Sequence, residues 1–373
     1  MFFKESNKKD KNKMKIGILT FHRAENFGAV LQCYSLQEYL AKKGHDVEII
    51  DYRPQSIEKG YSYINIKYKN LVQFIKDFLL NIIPIKYKIR KKKRYDKFRQ
   101  SYFRLSSVAR TYENIPKKYD MIICGSDQVW NLRLTSGIDN GYFLNFSTKA
   151  RKIAFSCSSE FKDYSRYDSV KTQLYDILLS FSRISVREKS LSIYLSEHLK
   201  IKSSVTCDPT FLQNRLFYEK LLGKPKKTLD KYVLVYNLVE TSKSIEFAKL
   251  YARKNNLSVV VVHAGFRGKY HGDLDVFDAG PLELLNYIRN ASYVVTTSFH
   301  GLALSLILNK QVCVIDKGPN IRQKNLLEDL GLLYIIVDEM NSVPTIDYDI
   351  VNNKIKIYSE PTFNYLNDVL NDE

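Results

Sequence analysis

The run Lys15-Ile16-Gly17-Ile18-Leu19-Thr20 decides the fold, together with the polar loop Phe21 to Phe27, a helical pattern from Gly28 and a second apolar run, Val47 to Ile50. A short apolar stretch without alternation reads as a strand buried on both faces. Val30, Cys33, Tyr34, Leu40 and Ala41 then recur at helical spacing, and Gly44 stops the helix before the next strand. Strand, helix and strand in that order make one βαβ unit with a right-handed crossover. The loop lacks G-x-G-x-x-G, so the dinucleotide fingerprint is absent although the topology is of that kind. Asp51, just past the second strand, stands where a carboxylate serves a ribose hydroxyl; without the glycines, a loop-capping role is the better reading.

The same alternation continues outward from this unit. Apolar strands are expected at Tyr119 to Cys124, Lys152 to Ser156 and Ile184 to Arg187. A second series is expected at Ser204 to Cys207, Tyr232 to Tyr236, Ser258 to His263, Tyr293 to Thr296, Val312 to Asp316 and Tyr334 to Val337. Helical stretches such as Ser242 to Lys254, Leu282 to Arg289 and Ile321 to Leu330 separate them. Short strands spaced by helix-length segments imply parallel sheets. The chain has 373 residues, room for two domains, and two Rossmann-like halves facing a cleft are the expected architecture. The expected division is 14–195, 200–345 and a C-terminal extension 346–373 with a final helix from Thr362 to Leu370. The linker is expected between Leu191 and Ser203, or at Asp208-Pro209, where the proline redirects the chain.

Charge is the strongest global signal, at a formal net +18. Much of it lies in Lys86-Tyr87-Lys88-Ile89-Arg90-Lys91-Lys92-Lys93-Arg94 and the following Lys97, Arg99 and Arg104. Apolar and aromatic residues interleave with these cations, which suits a basic amphipathic helix. Three readings of residues 86–104 compete: a solvated helix face, a docking surface for anionic lipid head groups, or contact with a phosphate backbone. No helix-turn-helix, zinc finger or RNP aromatic signature is present, so nucleic acid ranks last. The five cysteines are scattered, without C-x-x-C, and read as buried thiols in a reducing compartment. The run Leu71 to Ile85 is broken by Gln73, Lys76, Asp77 and Asn81, short of the roughly 20 apolar residues that span a bilayer. The N-terminus carries no signal-peptide pattern, and the expected place is the cytoplasm, including its membrane surface.

Three strand ends carry chemistry. Thr296-Thr297-Ser298-Phe299-His300-Gly301 lies between a strand and the apolar helix Leu302 to Leu308. A polar turn there offers backbone N–H groups and the positive end of a helix dipole to an anion, and a histidine, here His300, is the side-chain type suited to giving or taking a proton at such a place. A strand-end histidine is more often structural, so position alone does not decide its role. Gly125-Ser126-Asp127-Gln128-Val129-Trp130-Asn131 ends another strand, and its tryptophan suits either stacking on a sugar face or packing into the core. Arg187, in Ser185-Val186-Arg187-Glu188-Lys189-Ser190, offers a planar fork to carboxylate or phosphate, or a salt bridge to a neighbouring acid. None of the six histidines is spaced with another as a ligand pair, so no metal is expected.

These motifs together resemble the polysaccharide pyruvyl transferase family. They are K-I-G-I-L-T-F-H with N-F-G-A-V-L-Q-C-Y-S-L-Q-E-Y-L, then C-G-S-D-Q-V-W-N, S-V-R-E-K-S, C-D-P-T-F-L and T-S-F-H-G-L-A-L-S-L, in the family's order from about residue 15 to about 330. The resemblance implies a GT-B-like fold. It also implies transfer of a pyruvyl group from phosphoenolpyruvate to a sugar of a cell-surface polysaccharide or its lipid-diphosphate-linked precursor, giving a ketal and phosphate, with no further cofactor. His300 matches the family's catalytic histidine. Arg187 and Arg322 fit the arginines that hold the donor, with Thr297, Ser298 and Gly301 as the polar turn beside it. Asn26, Gly28, Asp127, Gln128, Trp130 and Asn131 are the expected acceptor contacts. Many members carry an arginine two residues before the histidine, as in R-L-H; here that place is Ser298, a form found in one branch of the family. A nucleotide-sugar glycosyltransferase of the same fold is the nearest rival reading, and a non-catalytic surface-binding protein on the enzyme fold is another.

Overall fold

The computed structural model describes residues 13–54, 71–159, 165–224, 231–266, 268–315, 321–337 and 343–372, with the side chains of 71–84 left aside. Its first sheet contains β1 (Lys15–Leu19), β2 (Asp46–Ile49), β3 (Met121–Cys124), β4 (Arg151–Cys157), β5 (Arg183–Val186) and β6 (Ser204–Val205). The second contains β7 (Tyr232–Asn237), β8 (Ser258–His263), β9 (Leu274–Val276), β10 (Tyr293–Thr296), β11 (Val312–Ile315) and β12 (Ile336–Val337). All pairings between these strands are parallel. Helices connect them: α1 (Phe27–Lys42), α2 (Leu71–Tyr102), α3 (Ser165–Asp168), α4 (Lys171–Leu178), α5 (Lys189–Leu199) and α6 (Arg215–Leu222). The later ones are α7 (Ser242–Asn255), α8 (Pro281–Asn290), α9 (Phe299–Ile307), α10 (Ile321–Leu330) and α11 (Tyr348–Asn371).

Strand order places the site. The first sheet runs β2-β1-β3-β4-β5-β6 and the second β12-β11-β10-β7-β8-β9. Order reverses between β1 and β3 and between β7 and β10, and ligands of open α/β sheets gather outside the strand carboxyl ends at such points. Two parallel, Rossmann-like α/β units are thus established by topology. Central strands such as Met121–Cys124 and Val312–Ile315 are wholly buried, which is why they read as unbroken apolar runs. Asn26 starts α1 by accepting from the amides of Gly28 and Ala29. Almost all of α1 through Leu40 is buried, because it packs against elements of both units.

Three expectations are corrected. Ser204 and Val205 pair with Ser185 and Val186 of β5, so this strand extends the first sheet rather than opening the second, and the 195/200 division falls too early. The linker reading at Leu191 to Ser203 fails for the same reason: α5 buries Leu191, Tyr194, Leu195 and Leu199 in the first unit. The final helix is longer than Thr362 to Leu370 and carries Pro361 inside it. Proline removes one intrahelical hydrogen bond, and here contacts on the far side of Pro361 hold the helix together. Tyr365 donates to Ala154 O at 2.8 Å, and Cys207 N–H donates to Thr362 Oγ1 at 2.8 Å. Asp372 pairs with Arg183, so α11 lies back on the first sheet.

The basic segment forms the second half of α2, and most of its burial is structural. Tyr95 and Phe98 enter the main core. Lys91 donates to Ala264 O at 2.9 Å and Arg94 meets Asp278 Oδ1 at 2.9 Å, tying α2 to the second unit. Lys86, Arg90, Lys93 and Lys97 remain exposed, and their spacing puts them on one face. Among the described residues no helix is long and apolar enough to cross a membrane.

Candidate active site at the converging strand ends

Ser298 caps α9: its hydroxyl accepts from Gly301 N at 3.2 Å, and its own N–H donates to Thr296 Oγ1 at 3.0 Å. This cap fixes His300 in the first turn of the helix, with its ring against the first turn of α1. A Cβ on Gly28 would lie 1.9 Å from His300 Nδ1, so only glycine leaves room for that approach. His300 Nε2 sits 3.1 Å from Asp208 Oδ2. The same oxygen meets Arg187 Nη2 at 2.7 Å, while Oδ1 accepts from Thr210 N at 2.9 Å and Thr210 Oγ1 at 2.8 Å. Asp208 is wholly buried. Burial alone would raise its carboxyl, but Arg187 and His300 hold it well below the usual carboxylate range. Asp208 therefore stays anionic and accepts a hydrogen bond from Nε2–H, which leaves Nδ1 as the ring's second proton site.

Arg187 follows β5 and is buried. Its Nη2 also donates to Ser126 Oγ after β3. Burial opposes its charge, and Asp208, Asp127 and Glu188 more than offset that, so it remains a guanidinium. Its Nε and Nη1 have no acceptor among the described residues. Buried cationic donors without protein partners fit an oxyanion. Arg322, in α10, lies with its Cζ 5.5 Å from the Phe299 ring centroid, and Arg187 Cζ lies 5.5 Å from the same ring. One aromatic ring thus gathers two guanidinium groups beside His300. Glu188 is held above its ordinary value by burial, against the pull of the Ser158 hydroxyl, Arg322 and Arg187.

The polar turn differs from its expected use. Thr297 gives its N–H to Asn237 Oδ1 at 2.9 Å and its hydroxyl to Val239 O at 3.3 Å, and the Gly301 amide belongs to the Ser298 cap. A Cβ on Gly301 would meet Thr296 Oγ1 at 2.6 Å, so this glycine serves close packing. The amides of Phe299 and His300 are the first-turn donors without an intrahelical acceptor.

The acceptor set is also revised. Trp130 is 1% exposed, stacks on Phe143 at 5.4 Å and donates to Tyr142 O at 3.3 Å, so it cannot present a face to sugar. Asn131 is buried and folds its side chain into the local turn, accepting from Arg133 N at 3.1 Å and donating to Gln128 Oε1 at 2.7 Å. Asn26 spends its oxygen on the α1 cap, and Gly28 makes room for His300. Asp127 stays near the centre, in the field of Arg187, with Oδ1 accepting from Gln128 N at 2.9 Å. Asp51 is neither a ribose ligand nor a simple cap: it accepts from His22, Arg23 and Arg53.

The sequence carries no expected site role for Asp208, Phe299 or Glu188; Asp208 enters there only with Pro209 as a linker alternative. Asp208 stood in the C-D-P-T-F-L motif and Glu188 beside Arg187, which were the available signals. Elsewhere, His263 and His271 converge on Asp275, at 2.9 and 2.7 Å, a set that linear spacing did not flag. A cavity of about 1400 Å³ opens at the other end of α1 and α9, among Tyr34, Lys42, Phe217, Ile307, Ile355 and Phe363. It shares no residue with the His300 cluster.

Two parallel sheets whose reversal points meet over a buried cluster of histidine, aspartate and arginine define a protein of two Rossmann-like α/β units with its candidate site at their strand ends. Its family is more particular: residues 26–318 match the polysaccharide pyruvyl transferase model, and the chain belongs to that family. Among curated proteins no relative matches. Similarity to solved structures is distant. UDP-GlcNAc 2-epimerase from Neisseria meningitidis, bound to UDP-GlcNAc, is 12% identical over 94% of this chain and 99% of that one, with a TM-score of 0.45. The glycosyltransferase SnogD from Streptomyces nogalater is 11% identical over 96% and 99%, with a TM-score of 0.41. An alpha-glucosyltransferase in complex with UDP and DNA is 10% identical over 96% and 100%, with a TM-score of 0.48.

Proposed function

We propose that this chain moves a pyruvyl group from phosphoenolpyruvate onto two hydroxyls of a saccharide, forming a ketal and releasing phosphate. The observation that carries this reading is the Arg187–Asp208–His300 cluster with Arg187 Nε and Nη1 unspent. Phosphoenolpyruvate has two anionic ends, and Arg187 and Arg322, both beside the Phe299 ring, supply two cations. They take the place of the arginine that Ser298 lacks. His300 gives a proton to the methylene carbon, so the enol double bond becomes a methyl group and the neighbouring carbon an oxocarbenium-like centre. A sugar hydroxyl adds to that carbon and its proton returns to His300. The second hydroxyl then displaces phosphate, which departs with its bridging oxygen and takes up that hydroxyl's proton. Asp208 orients the ring and supports the imidazolium without itself being protonated.

The acceptor we infer is lipid-diphosphate-linked, with the exposed stripe Lys86, Arg90, Lys93 and Lys97 facing an anionic leaflet. Reversing those four charges should abolish co-sedimentation with vesicles containing phosphatidylserine; unchanged sedimentation removes this part of the reading.

Isothermal titration with phosphoenolpyruvate and, separately, with a panel of nucleotide sugars tests the donor. Binding of phosphoenolpyruvate that Arg187→Gln weakens, with phosphate release on adding acceptor, is the expected result. Binding of a nucleotide sugar instead moves the assignment to glycosyl transfer, and binding of neither moves it to a non-catalytic role.

A further inference from the structure

We propose that His263, His271 and Asp275 form a binding site for a divalent transition-metal ion, with zinc the best match to their chemistry. The proposal is independent of the donor reading. His263 ends β8, and the register Val261↔Asp275 brings the β9 carboxylate alongside it. His263 Nε2 lies 2.9 Å from Asp275 Oδ1, and His271 Nδ1 lies 2.7 Å from Asp275 Oδ2. One ligand atom from each of the three residues falls within 4.8 Å of the others.

The donor set names the class of ion. Two imidazole nitrogens and one carboxylate oxygen suit zinc and its neighbours, whereas magnesium and calcium prefer oxygen alone. Three protein ligands of this kind leave a fourth position for water. The outer contacts are those of a metal histidine. Glu240 Oε1 sits 2.6 Å from His263 Nδ1, which places the ring proton there and leaves Nε2 as the ligand atom. Glu240 is itself held, because its other oxygen accepts from Lys269 N at 2.7 Å.

The ring is also fixed in place. His263 stacks on Phe277 with centroids 4.2 Å apart and planes 5° from parallel, and a Cβ on Gly268 would come within 2.3 Å of its Cε1. The His263 side chain is wholly buried while that of His271 is 57% exposed, so solvent reaches the cluster from the His271 side. Zinc–nitrogen bonds of about 2.0–2.1 Å put tetrahedral ligands roughly 3.3 Å apart. The two nitrogen–oxygen contacts are shorter than this and run to different oxygens of Asp275, so binding needs a local rearrangement, which the exposed His271 can supply. The ion would clamp the β8–β9 connection, which carries Ala264, the acceptor of Lys91 from α2.

Titration of chelator-treated full-length protein with zinc sulfate, beside thermal melts and cobalt(II) absorption, tests the site. The expected result is one zinc per chain, a higher melting temperature with zinc but not with magnesium, and a cobalt spectrum of low-coordinate type. His271→Ala should weaken zinc at least tenfold while melting like the parent in chelator, and Glu240→Gln should weaken it about 10–100-fold. Absence of stoichiometric zinc uptake, or uptake that His271→Ala leaves unchanged, overturns the proposal. Either result would make the cluster a hydrogen-bonded imidazole between two carboxylates.

Discussion

The first unit and the junction each contain a buried histidine and aspartate in contact with arginine, and the two sets behave differently. In the first unit, His22 Nε2 meets Asp51 at 2.9 Å and its Nδ1 meets Thr20 O at 3.1 Å. Arg23 and Arg53 both direct Nε and Nη2 at the same carboxylate. Both nitrogens of the His22 ring are tied, so that set is a clamp between the loop after β1 and the end of β2. At the junction, Asp208 accepts from one nitrogen of His300 and one of Arg187, and among the described residues Nε and Nη1 of the arginine have no acceptor. Residue type alone does not tell the two sets apart; the count of donors without a protein partner among the described residues does.

The largest expected effect separates the two sets directly. His300→Ala should lower phosphate release from phosphoenolpyruvate and acceptor about 10²–10⁴-fold, with a melting temperature near the parent's because Asp208 keeps Arg187 and Thr210. His22→Ala should do the reverse, and equal losses of turnover in both variants would break the comparison. Next, Arg187→Met leaves a wholly buried carboxylate without its cation, and removing one partner of a buried pair costs about 3–5 kcal/mol; denaturant titration reads this. Gly28→Ala forces the His300 ring aside, and a displacement near 1 Å costs about 10²-fold in rate. Initial rates with an unchanged unfolding midpoint would sharpen the point.

The smallest effect is a pH dependence. Burial holds His22 below its ordinary value, against the hydrogen bond to Asp51, so the folded chain binds fewer protons than the unfolded chain near and below pH 6.5. The stability that His22 contributes is complete above that pH and falls as pH drops toward the lowered folded value. Melts from pH 7.5 to 5 should show this slope in the parent and a shallower one in His22→Gln.

Much of the architecture was legible because burial on both faces leaves a direct trace: apolar runs, polar turns and helix-stopping glycines mark β1, α1 and β2 in turn. The edge strand Ser204–Val205 was misassigned because two exposed residues carry no periodicity; only pairing with β5 places them. Trp130 misled for a physical reason. A tryptophan among Asp127, Gln128 and Asn131 looks like a sugar platform, yet its partners Phe143 and Phe181 come from later in the chain. The junction was half legible. His300 and Arg187 announce themselves at strand ends, whereas Asp208 joins them through a contact between residues 92 positions apart. No local pattern encodes such a contact.

The return of α11 to the first sheet has a consequence for dissecting the molecule. Thr362, Tyr365 and Asp372 grip Cys207, Ala154 and Arg183 across 155, 211 and 189 positions of sequence. A fragment cut at the crossing after β6 would carry all six strands of that sheet and still lack the cover over Phe155, whose ring packs on Tyr365. It would be a sheet with one flank peeled open, exposing apolar surface that favours aggregation over independent folding. The unit that begins the chain is finished only by a helix 155 to 211 positions away from the residues it grips, so the boundary between the halves is a seam in space with no matching place to cut.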